Sequence, residues 1–275
     1  MLLAELERFI EEDTGYNDVS CTIVPDCKAQ AEVVSKEDGI IAGLAEATQI
    51  LEYFEILAVT DLTDGSAVKK DDIVFNLEGG ARSILRAERL ALNFLGRMSG
   101  IATMTHSYVE KANGARANVV RIASTRKTTP GFRKFEKRAV IAGGGDPHRF
   151  NLSDAVMIKD NHIAVLGLER AIKAAKSTAS FTQKIEVEVE DVNSAVRAAE
   201  LGVDIIMFDN MAADDIAGCI RTLNEKGLRQ GVILEASGGI TLENVADYAR
   251  AGIDVISTGA LTHSSRWLDI SLKIK

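Results

Sequence analysis

From about residue 117 onward, short β-branched runs alternate with helical runs, and this pattern restricts the possible folds more than any other feature. The apolar runs are NVVRIAS, AVMIKD, KIEVEVE, VDIIMFDN, VILEAS and IDVISTGA. Helical segments lie between them, namely LERAIKAAK, NSAVRAAELG, AADDIAGCIRTLNEKG and LENVADYARAG. This alternation indicates a parallel sheet, and runs that are apolar at nearly every position are typical of strands buried on both faces. We therefore predict an α/β fold with six or seven parallel strands over residues 116–265, and the regular alternation favours a (β/α) barrel over an open sheet.

The first 115 residues have a different, mixed pattern. A helix is predicted over about 2–12, a half-buried strand in QAEVVSKED and a helix in GLAEATQILEYF. Short strands joined by a turn at Asp64-Gly65 follow, and then a long helix that ends at Asn113-Gly114. We predict a separate N-terminal α+β domain over 1–115, and we expect the C-terminal tail at about 266–275 to pack back on it.

Composition excludes several classes of partner. The formal net charge of −8 argues against a nucleic-acid-binding protein, which needs a basic face. No apolar run reaches the roughly 18–20 residues that span a bilayer, and the N-terminus lacks the basic start of a signal peptide. The three cysteines show no metal-type spacing and suit a reducing compartment. We expect a cytoplasmic protein without nucleic-acid or membrane partners.

The segment STRKTTPGFRKFEKR at 124–138 concentrates positive charge in this acidic chain. A solvated cationic loop is the simple interpretation, but a Pro-Gly turn restrains the segment, and His148-Arg149 follow three glycines that permit close approach of a ligand. Arg presents a planar fork and Lys a point charge, so the group is suited to a polyanion. The residues predicted to hold it are Arg126, Lys127, Arg149 and Lys159.

The remaining bases in this part of the chain are assigned in three ways. We expect His148 to donate to the anion, whereas His162 is assigned equally to loop hydrogen bonding or to ligand contact. The cations of the following helical run are expected to be solvated, and they are Arg133, Lys134, Lys137 and Arg138.

Polar groups also stand near the ends of successive predicted strands, where the mouth of a parallel barrel forms. They are Lys159, Glu188, Asp209, Ser237 and Thr258-Gly259. The acids of IEVEVE share one face, so one of Glu186, Glu188 and Glu190 would be buried at a cost unless it is paired. Glu188 and Asp209 on neighbouring strand ends could bind Mg²⁺ or ribose hydroxyls, or Lys159 could neutralise them in an internal salt bridge.

The loops ASGGI and STGALTHS follow two late strands, where barrels commonly bind phosphate. A phosphate cradle, a carboxylate pair and a cation cluster together suit a phosphorylated sugar and a second, anionic substrate. Phosphoribosyl transfer fits this inventory, because carboxylates stabilise the sugar cation while Mg²⁺ and Lys stabilise departing pyrophosphate.

The motifs resemble those of the quinolinate phosphoribosyltransferase family in order over nearly the whole chain. They are ERLALNFLGRMSGIAT, TRKTTPGFRKFEKRAVIAGGGDPHRFNLSDAVMIKDNHI, IEVEVE, IIMFDNM, EASGGI and DVISTGALTHS. The resemblance implies an N-terminal sandwich domain and an incomplete barrel that is the catalytic domain. It implies conversion of quinolinate and phosphoribosyl pyrophosphate to nicotinate mononucleotide, pyrophosphate and CO₂, with Mg²⁺, in de novo NAD biosynthesis.

The resemblance also implies roles for individual residues and a homodimer at least. The quinolinate carboxylates would be held by Arg126, His148, Arg149 and Lys159, with Arg89 reaching in from a neighbouring subunit. Phosphoribosyl pyrophosphate and its Mg²⁺ would be served by Lys127, Glu188 and Asp209. The 5′-phosphate would lie on Ser237, Gly238 and Gly259, and Lys159 or Lys127 would assist the chemistry.

Two positions depart from the family pattern. Asn17 stands where a second Gly is usual, and Ser124 replaces a common Asp before TRKT. Related pyrophosphorylase-like proteins associated with molybdate transport share TRKT-PG and GGG-HR but tend to lack KDNHI, so an acceptor other than quinolinate stays open as an alternative. A binding protein that uses the same pocket without catalysis is the second alternative.

Overall fold

The computed structural model describes residues 1–16, 18–115 and 119–275, so the predicted turn at Asn17 lies outside the described residues. The chain divides into two compact units. The first comprises Met1–Met104, Ile141–Gly144 and Ser265–Lys275, and the second comprises Thr105–Val140 and Gly145–Ser264.

The first unit is built on an antiparallel sheet. Its elements are α1 (Leu3–Thr14), a short 3₁₀ helix (Ser20–Ile23), β1 (Lys28–Ser35), β2 (Gly39–Ile40), α2 (Leu44–Tyr53), β3 (Leu57–Val59), β4 (Ala67–Val68), β5 (Ile73–Gly80) and α3 (Ala81–Asn113), which continues into the second unit. The last strand of the chain, β12 (Ile270–Ile274), belongs to the same sheet, whose order is β12-β1-β5-β3.

The period-2 pattern of β1 sets the register of this sheet. Ala31 pairs with Leu77 and Val33 with Phe75, and all four side chains are buried. Because alternate residues point to one face, this register puts one apolar face of the sheet into the core. The C-terminal tail pairs on the other side of β1, where Val33 faces Leu272.

The second unit contains the parallel sheet. Its elements are β6 (Arg121–Ala123), α4 (Arg133–Ala142), β7 (Val156–Ile158), α5 (Asp160–Leu166), α6 (Leu168–Thr178), β8 (Ile185–Val189), α7 (Val192–Glu200), β9 (Ile205–Asp209), α8 (Ala213–Glu225), β10 (Ile233–Ser237), α9 (Val245–Arg250), β11 (Val255–Ser257) and α10 (Ala260–His263). The strand order is β6-β11-β10-β9-β8-β7, and every neighbouring pair is parallel.

The predicted α/β fold is confirmed, with six strands in the parallel sheet. Within the described ranges β6 and β7 have no mutual pairing, so the barrel is incomplete. Central strands are buried on both faces, as the consecutive residues Ile206 and Met207 on β9 and Leu234 and Glu235 on β10 illustrate. None of the helices in the described part of the chain combines the length and apolar character needed to cross a membrane.

Candidate active site

The carboxyl ends of the parallel strands bring most of the predicted site residues to one edge of the sheet. Lys159 directly follows β7, Glu188 lies near the end of β8, and Asp209 ends β9. Asp209 stands opposite Ser237, the last residue of β10, in the strand register. Since all these strands run in the same direction, their polar ends line a common rim.

Arg126 and Lys127 lie in the loop after β6, at the same edge of the sheet. The Arg126 Nε atom is buried and has no hydrogen-bond partner among the described residues. A buried guanidinium N–H without a partner is costly, so it offers a donor to an anionic ligand. Arg126 therefore has the donor capacity that the sequence predicted for it.

Lys127 is held against the loop that follows β11. Thr262 Oγ1 donates to the Lys127 carbonyl at 2.6 Å. A Cβ atom at Gly259 would lie 3.0 Å from Lys127 Cδ and 2.9 Å from the His263 ring, so a residue with a side chain would crowd both. Gly259 thus allows the Lys127 side chain to pass close to the loop that was predicted to bind phosphate.

His148 has a left-handed backbone, with φ of 52°, and both of its ring nitrogens have protein partners. Nδ1 accepts from the backbone N–H of Arg149 at 2.8 Å, and Nε2 lies 3.3 Å from Glu235 Oε2. The backbone N–H of His148 donates to Asp146 Oδ1 at 2.7 Å. In this arrangement the imidazole supports the Arg149 backbone, whereas the sequence predicted that it donates to the anion.

Two buried carboxyl groups lie beside His148, and reasoning from the sequence had assigned neither to the site. Glu186 on β8 and Glu235 on β10 are 0% and 2% exposed. Neither oxygen of Glu186 has a hydrogen-bond partner in the described structure, and its Oε2 lies 3.8 Å from His148 Nε2. Glu186 is the buried acid that the period of IEVEVE predicts, whereas Glu235 was detectable only as a lone acid inside the apolar run VILEAS.

Burial and neighbouring charges shift the proton equilibria of Glu186 and His148. Desolvation, followed by the charge of Glu235, raises the pKa of Glu186 to about 8. Burial opposes a charged His148, but the hydrogen bond and charge of Glu235, together with the charge of Glu186, outweigh it and raise the pKa of the imidazole. Glu186 and His148 therefore retain a proton at neutral pH more readily than the free side chains do.

Lys159 and Glu188 form an ion pair between neighbouring strand ends. The internal salt bridge considered from the sequence is therefore present. His162 Nδ1 accepts from the Lys159 backbone N–H at 3.0 Å, which places His162 in loop hydrogen bonding at the start of α5. On the next strand, Asn210 Nδ2 donates to Asp209 Oδ2 at 3.1 Å and orients that carboxylate.

The turn after β10 is shaped by Gly238, whose φ is 90°. A Cβ atom there would lie 2.2 Å from Asn210 Oδ1 and 2.8 Å from the Asn210 backbone nitrogen. Only glycine avoids both the left-handed strain and this clash. The loop of Ser237 and Gly238 consequently packs directly against the residue that orients Asp209.

The predicted magnesium ligands are two carboxylates on adjacent strands. Carboxylate oxygens are the protein ligands that Mg²⁺ prefers, so the side chains of Glu188 and Asp209 fit the predicted ion. Direct coordination by Glu188 would require release of Lys159 from their ion pair. Among the described residues, a separate group of three potential metal ligands lies close together, and it consists of His148, Glu186 and Glu235.

The expectation that Lys137 is solvated is wrong, because its side chain is fully buried in α4. Lys137 Nζ donates to the Pro147 carbonyl and lies 3.3 Å from Ser124 Oγ. Arg133 is also engaged, since its Nε donates to Thr128 Oγ1 at 2.9 Å and its Nη1 donates to the Phe150 carbonyl at 3.1 Å. The side chains of Arg133 and Lys137 therefore pack against the rest of the protein. Of the four cations in this helical run, Arg138 is the exposed one.

Arg89 lies on α3 in the first unit and is exposed, so the structure of this unit keeps its guanidinium accessible. Its predicted contact with a neighbouring subunit stays a prediction.

An α/β protein with cations and carboxylates along the carboxyl edge of an incomplete parallel barrel belongs to a class suited to phosphorylated, anionic substrates. Family models define this class more closely. The N-terminal domain of quinolinate phosphoribosyl transferase matches residues 18–99, and its C-terminal domain matches residues 101–273. The chain belongs to the quinolinate phosphoribosyl transferase family, as its motifs predicted.

Similar proteins agree with this assignment over nearly their full lengths. The probable nicotinate-nucleotide pyrophosphorylase (carboxylating) of Archaeoglobus fulgidus is 50% identical over 260 residues, which are 94% of this chain and 98% of that protein. The human nicotinate-nucleotide pyrophosphorylase (carboxylating) is 38% identical, covering 99% of this chain and 91% of its own. The crystal structure of NadC from Streptococcus pyogenes superposes with a TM-score of 0.92 at 40% identity, covering 99% of this chain and 95% of that one.

Proposed function

We propose that this protein is a decarboxylating phosphoribosyltransferase that converts quinolinate and phosphoribosyl pyrophosphate to nicotinate mononucleotide, pyrophosphate and CO₂ in de novo NAD biosynthesis. The observation that carries the proposal is the cationic rim after β6 and β7, where Arg126 has a buried Nε–H without a hydrogen-bond partner among the described residues. Membership of the family and relatives named as carboxylating pyrophosphorylases support the same reaction.

The two carboxylates of quinolinate bind to Arg126, Arg149 and Lys159. Quinolinate carries two adjacent carboxylates on a rigid ring. When two planar guanidinium groups and one ammonium bind these carboxylates, the ring has a single orientation. His148 supports this set from behind through the Arg149 backbone. The ring nitrogen, which is next to one carboxylate, is thereby directed toward the sugar.

Phosphoribosyl pyrophosphate binds along the neighbouring strand ends. The loops of Ser237, Gly238 and Gly259 hold the 5′-phosphate, and Glu188 and Asp209 face the ribose hydroxyls. Lys127, held beside Gly259, neutralises the pyrophosphate. Quinolinate binds Lys159 and phosphoribosyl pyrophosphate binds Glu188, so each substrate uses one member of the ion pair. Before the substrates bind, the ion pair neutralises both charges.

The reaction breaks the bond between the sugar C1 and pyrophosphate and forms a bond from the ring nitrogen to C1. Carboxylates at the strand ends stabilise the electron-poor sugar while Lys127 stabilises the departing pyrophosphate. Glu188 and Asp209 would hold Mg²⁺, directly or through water, and the ion would supply positive charge that stabilises the departing pyrophosphate.

Decarboxylation follows at the carbon next to the ring nitrogen. The quaternary nitrogen stabilises the electron pair left when CO₂ departs, and that carbon then takes a proton. Lys159 or Lys127 assists this step by balancing charge in the site. Once one carboxylate has gone, the product binds fewer cations than the substrate did.

We also propose a cytoplasmic homodimer, or a larger homo-oligomer, in which Arg89 reaches a neighbouring subunit's site. The three free cysteines and the exposure of Arg89 support this part of the proposal. Gel filtration with light scattering measures the oligomeric state, and a turnover assay compares wild type with Arg89→Ala. A fully active monomer contradicts it.

A turnover assay on pure protein tests the reaction itself. It contains phosphoribosyl pyrophosphate, Mg²⁺ and either quinolinate or nicotinate, followed by mass measurement of the product. Nicotinate mononucleotide from quinolinate alone supports the proposal, because nicotinate lacks the second carboxylate. Product from a different heteroaromatic acid, with none from quinolinate, would favour the alternative acceptor.

A further inference from the structure

Lys137 is a buried cation for which the proposed reaction has no direct use. Its side chain is 0% exposed within α4. Its described hydrogen-bond partners are the Pro147 carbonyl and Ser124 Oγ, and its Nζ atom lies 5.7 Å from the centre of the Phe150 ring. A buried ammonium that is hydrogen-bonded only to neutral groups is costly, so its presence calls for a role that an apolar side chain could not fill.

The Pro147 carbonyl links Lys137 to the predicted substrate cations. This carbonyl also accepts from Ser124 Oγ at 3.0 Å, so two side chains fix its direction. The next residue is His148, which has φ of 52° and whose ring accepts from the Arg149 backbone N–H. A left-handed residue other than Gly or Asn is strained and persists only where its surroundings hold it.

We propose that Lys137 is a positioning residue: by holding the Pro147 carbonyl, its ammonium keeps His148 and Arg149 in the conformation that receives the substrate's carboxylates. The inference rests on the proposed function and deepens it. Lys137 acts through the loop and does not touch the substrate. Its charge matters because an ammonium donates more strongly to a carbonyl than a neutral amine does.

The charges around Lys137 predict a pH dependence. Burial, followed by the charge of Arg133, lowers the pKa of Lys137 to about 8. The charged groups that face it are Arg133 on its own helix and Arg126, Asp146, His148 and Asp154 from neighbouring loops. As pH rises through this range Lys137 loses its charge, and the hold on the Pro147 carbonyl weakens.

Ser124 offers a specific way to change this equilibrium. Its Oγ atom lies 3.3 Å from Lys137 Nζ, so the carboxylate of Ser124→Asp would lie within reach of the ammonium. An adjacent carboxylate favours the charged form of lysine and raises its pKa. Ser124→Asp also removes the hydroxyl that donates to the Pro147 carbonyl, so its informative readout is the pH at which phthalate affinity is lost, and this pH should rise.

The experiment measures binding of phthalate, a benzene dicarboxylate, by calorimetry from pH 6.5 to 9.5, together with KM for each substrate. We expect Lys137→Met to weaken phthalate binding and to raise the quinolinate KM at least about tenfold. A change of this size corresponds to the loss of one charge-assisted hydrogen bond. The KM for phosphoribosyl pyrophosphate should change less than about threefold, and the melting temperature should hold or rise, since Met fills a similar volume. Lys173→Met, an exposed site on α6, is the control.

Ser124→Asp keeps the test decisive if Lys137→Met does not fold. We expect the alkaline loss of phthalate affinity to move upward by at least about one pH unit in Ser124→Asp. Unchanged phthalate affinity in Lys137→Met, or an unmoved alkaline limb in Ser124→Asp, overturns the inference. Wild type that binds phthalate without turning over quinolinate would refute the proposed reaction alone. Wild type that does not bind phthalate would overturn the inference together with its anion site.

Discussion

Lys159, which directly follows β7, and Glu188, near the end of β8, form an ion pair across neighbouring parallel strands. The two residues are proposed to bind different substrates. Before the substrates bind, the two side chains neutralise each other. The Lys159 side chain is 42% exposed and that of Glu188 is 12% exposed, which leaves the pair open to replacement by ligand charges. This relationship predicts that altering one partner changes the affinity for the substrate of the other.

Replacement of Glu188 by Gln should separate binding of quinolinate from turnover. Without the carboxylate, Lys159 is no longer neutralised, so we expect quinolinate or phthalate affinity to rise a few-fold. Turnover should fall at least about 100-fold, because a carboxylate facing the sugar cation is lost. Calorimetry and steady-state kinetics measure the two effects. Glu190→Gln, exposed just beyond the same strand, is the control, and weaker phthalate binding in Glu188→Gln would contradict this account.

Arg149 should not tolerate replacement by Lys. The proposed contact with a carboxylate uses the planar fork of the guanidinium, which a point charge does not reproduce. We expect Arg149→Lys to raise the quinolinate KM at least about tenfold and to leave the KM for phosphoribosyl pyrophosphate within about threefold. Arg170→Lys, exposed on α6, should be unaffected in both assays. Near-normal kinetics in Arg149→Lys would remove Arg149 from the carboxylate site.

The buried carboxyl of Glu186 should make stability depend on pH. Its pKa is about 8 in the folded protein against 4.5 for the free side chain, so the folded state binds the proton more tightly. This contribution is fully present below pH 4.5 and is lost as pH rises toward 8. We expect Glu186→Gln to lose less stability than wild type between pH 5 and pH 8, by a few kcal/mol as an order of magnitude. Denaturant unfolding at both pH values measures this, and parallel slopes for variant and wild type would refute it.

The two glycines after β10 form a matched pair for testing the phosphate loop. Gly238 and Gly239 both have positive φ, but a Cβ would clash only at Gly238, whereas nothing lies within 4 Å of one at Gly239. We expect Gly238→Ala to raise the KM for phosphoribosyl pyrophosphate at least about tenfold. Gly239→Ala should only lower the free energy of unfolding, by about 1 kcal/mol, because a left-handed Ala is strained. Equal effects of the two variants would mean that backbone strain, and not contact with Asn210, controls the loop.

The strands of the parallel sheet were predictable because each is a short apolar run bounded by polar residues. That local signal does not depend on the rest of the chain, and it also placed Lys159, Glu188 and Asp209 at strand ends. The Lys159–Glu188 pair could be anticipated as an alternative, because neighbouring parallel strands carry both residues to the same rim.

The burial of α4 could not be predicted in the same way. Its run RKFEKRAV is charged and favours a solvated face, yet Glu136 and Lys137 are both fully buried. Their partners lie in loops: Glu136 accepts from the Thr129 backbone and hydroxyl, and Lys137 donates to Pro147. Loop conformations of this kind arise from tertiary packing, which no local period of the sequence records.

Glu235 was missed for a related reason. A single acid within VILEAS does not disturb the apolar pattern of a strand, and its significance depends on His148, 87 residues away in the chain. A carboxylate at an inward position of a buried strand was the available signal, because such a group needs a partner.

The most direct test of the central claim follows the two carboxyl groups of quinolinate separately. Quinolinate labelled with ¹³C in the carboxyl next to the ring nitrogen, or in the other carboxyl, is turned over with phosphoribosyl pyrophosphate and Mg²⁺. Decarboxylation next to the ring nitrogen predicts one labelled CO₂ for each nicotinate mononucleotide from the first compound and full retention of label from the second. Formation of a dicarboxylated nucleotide, release of the second label, or no nucleotide from either compound would contradict it.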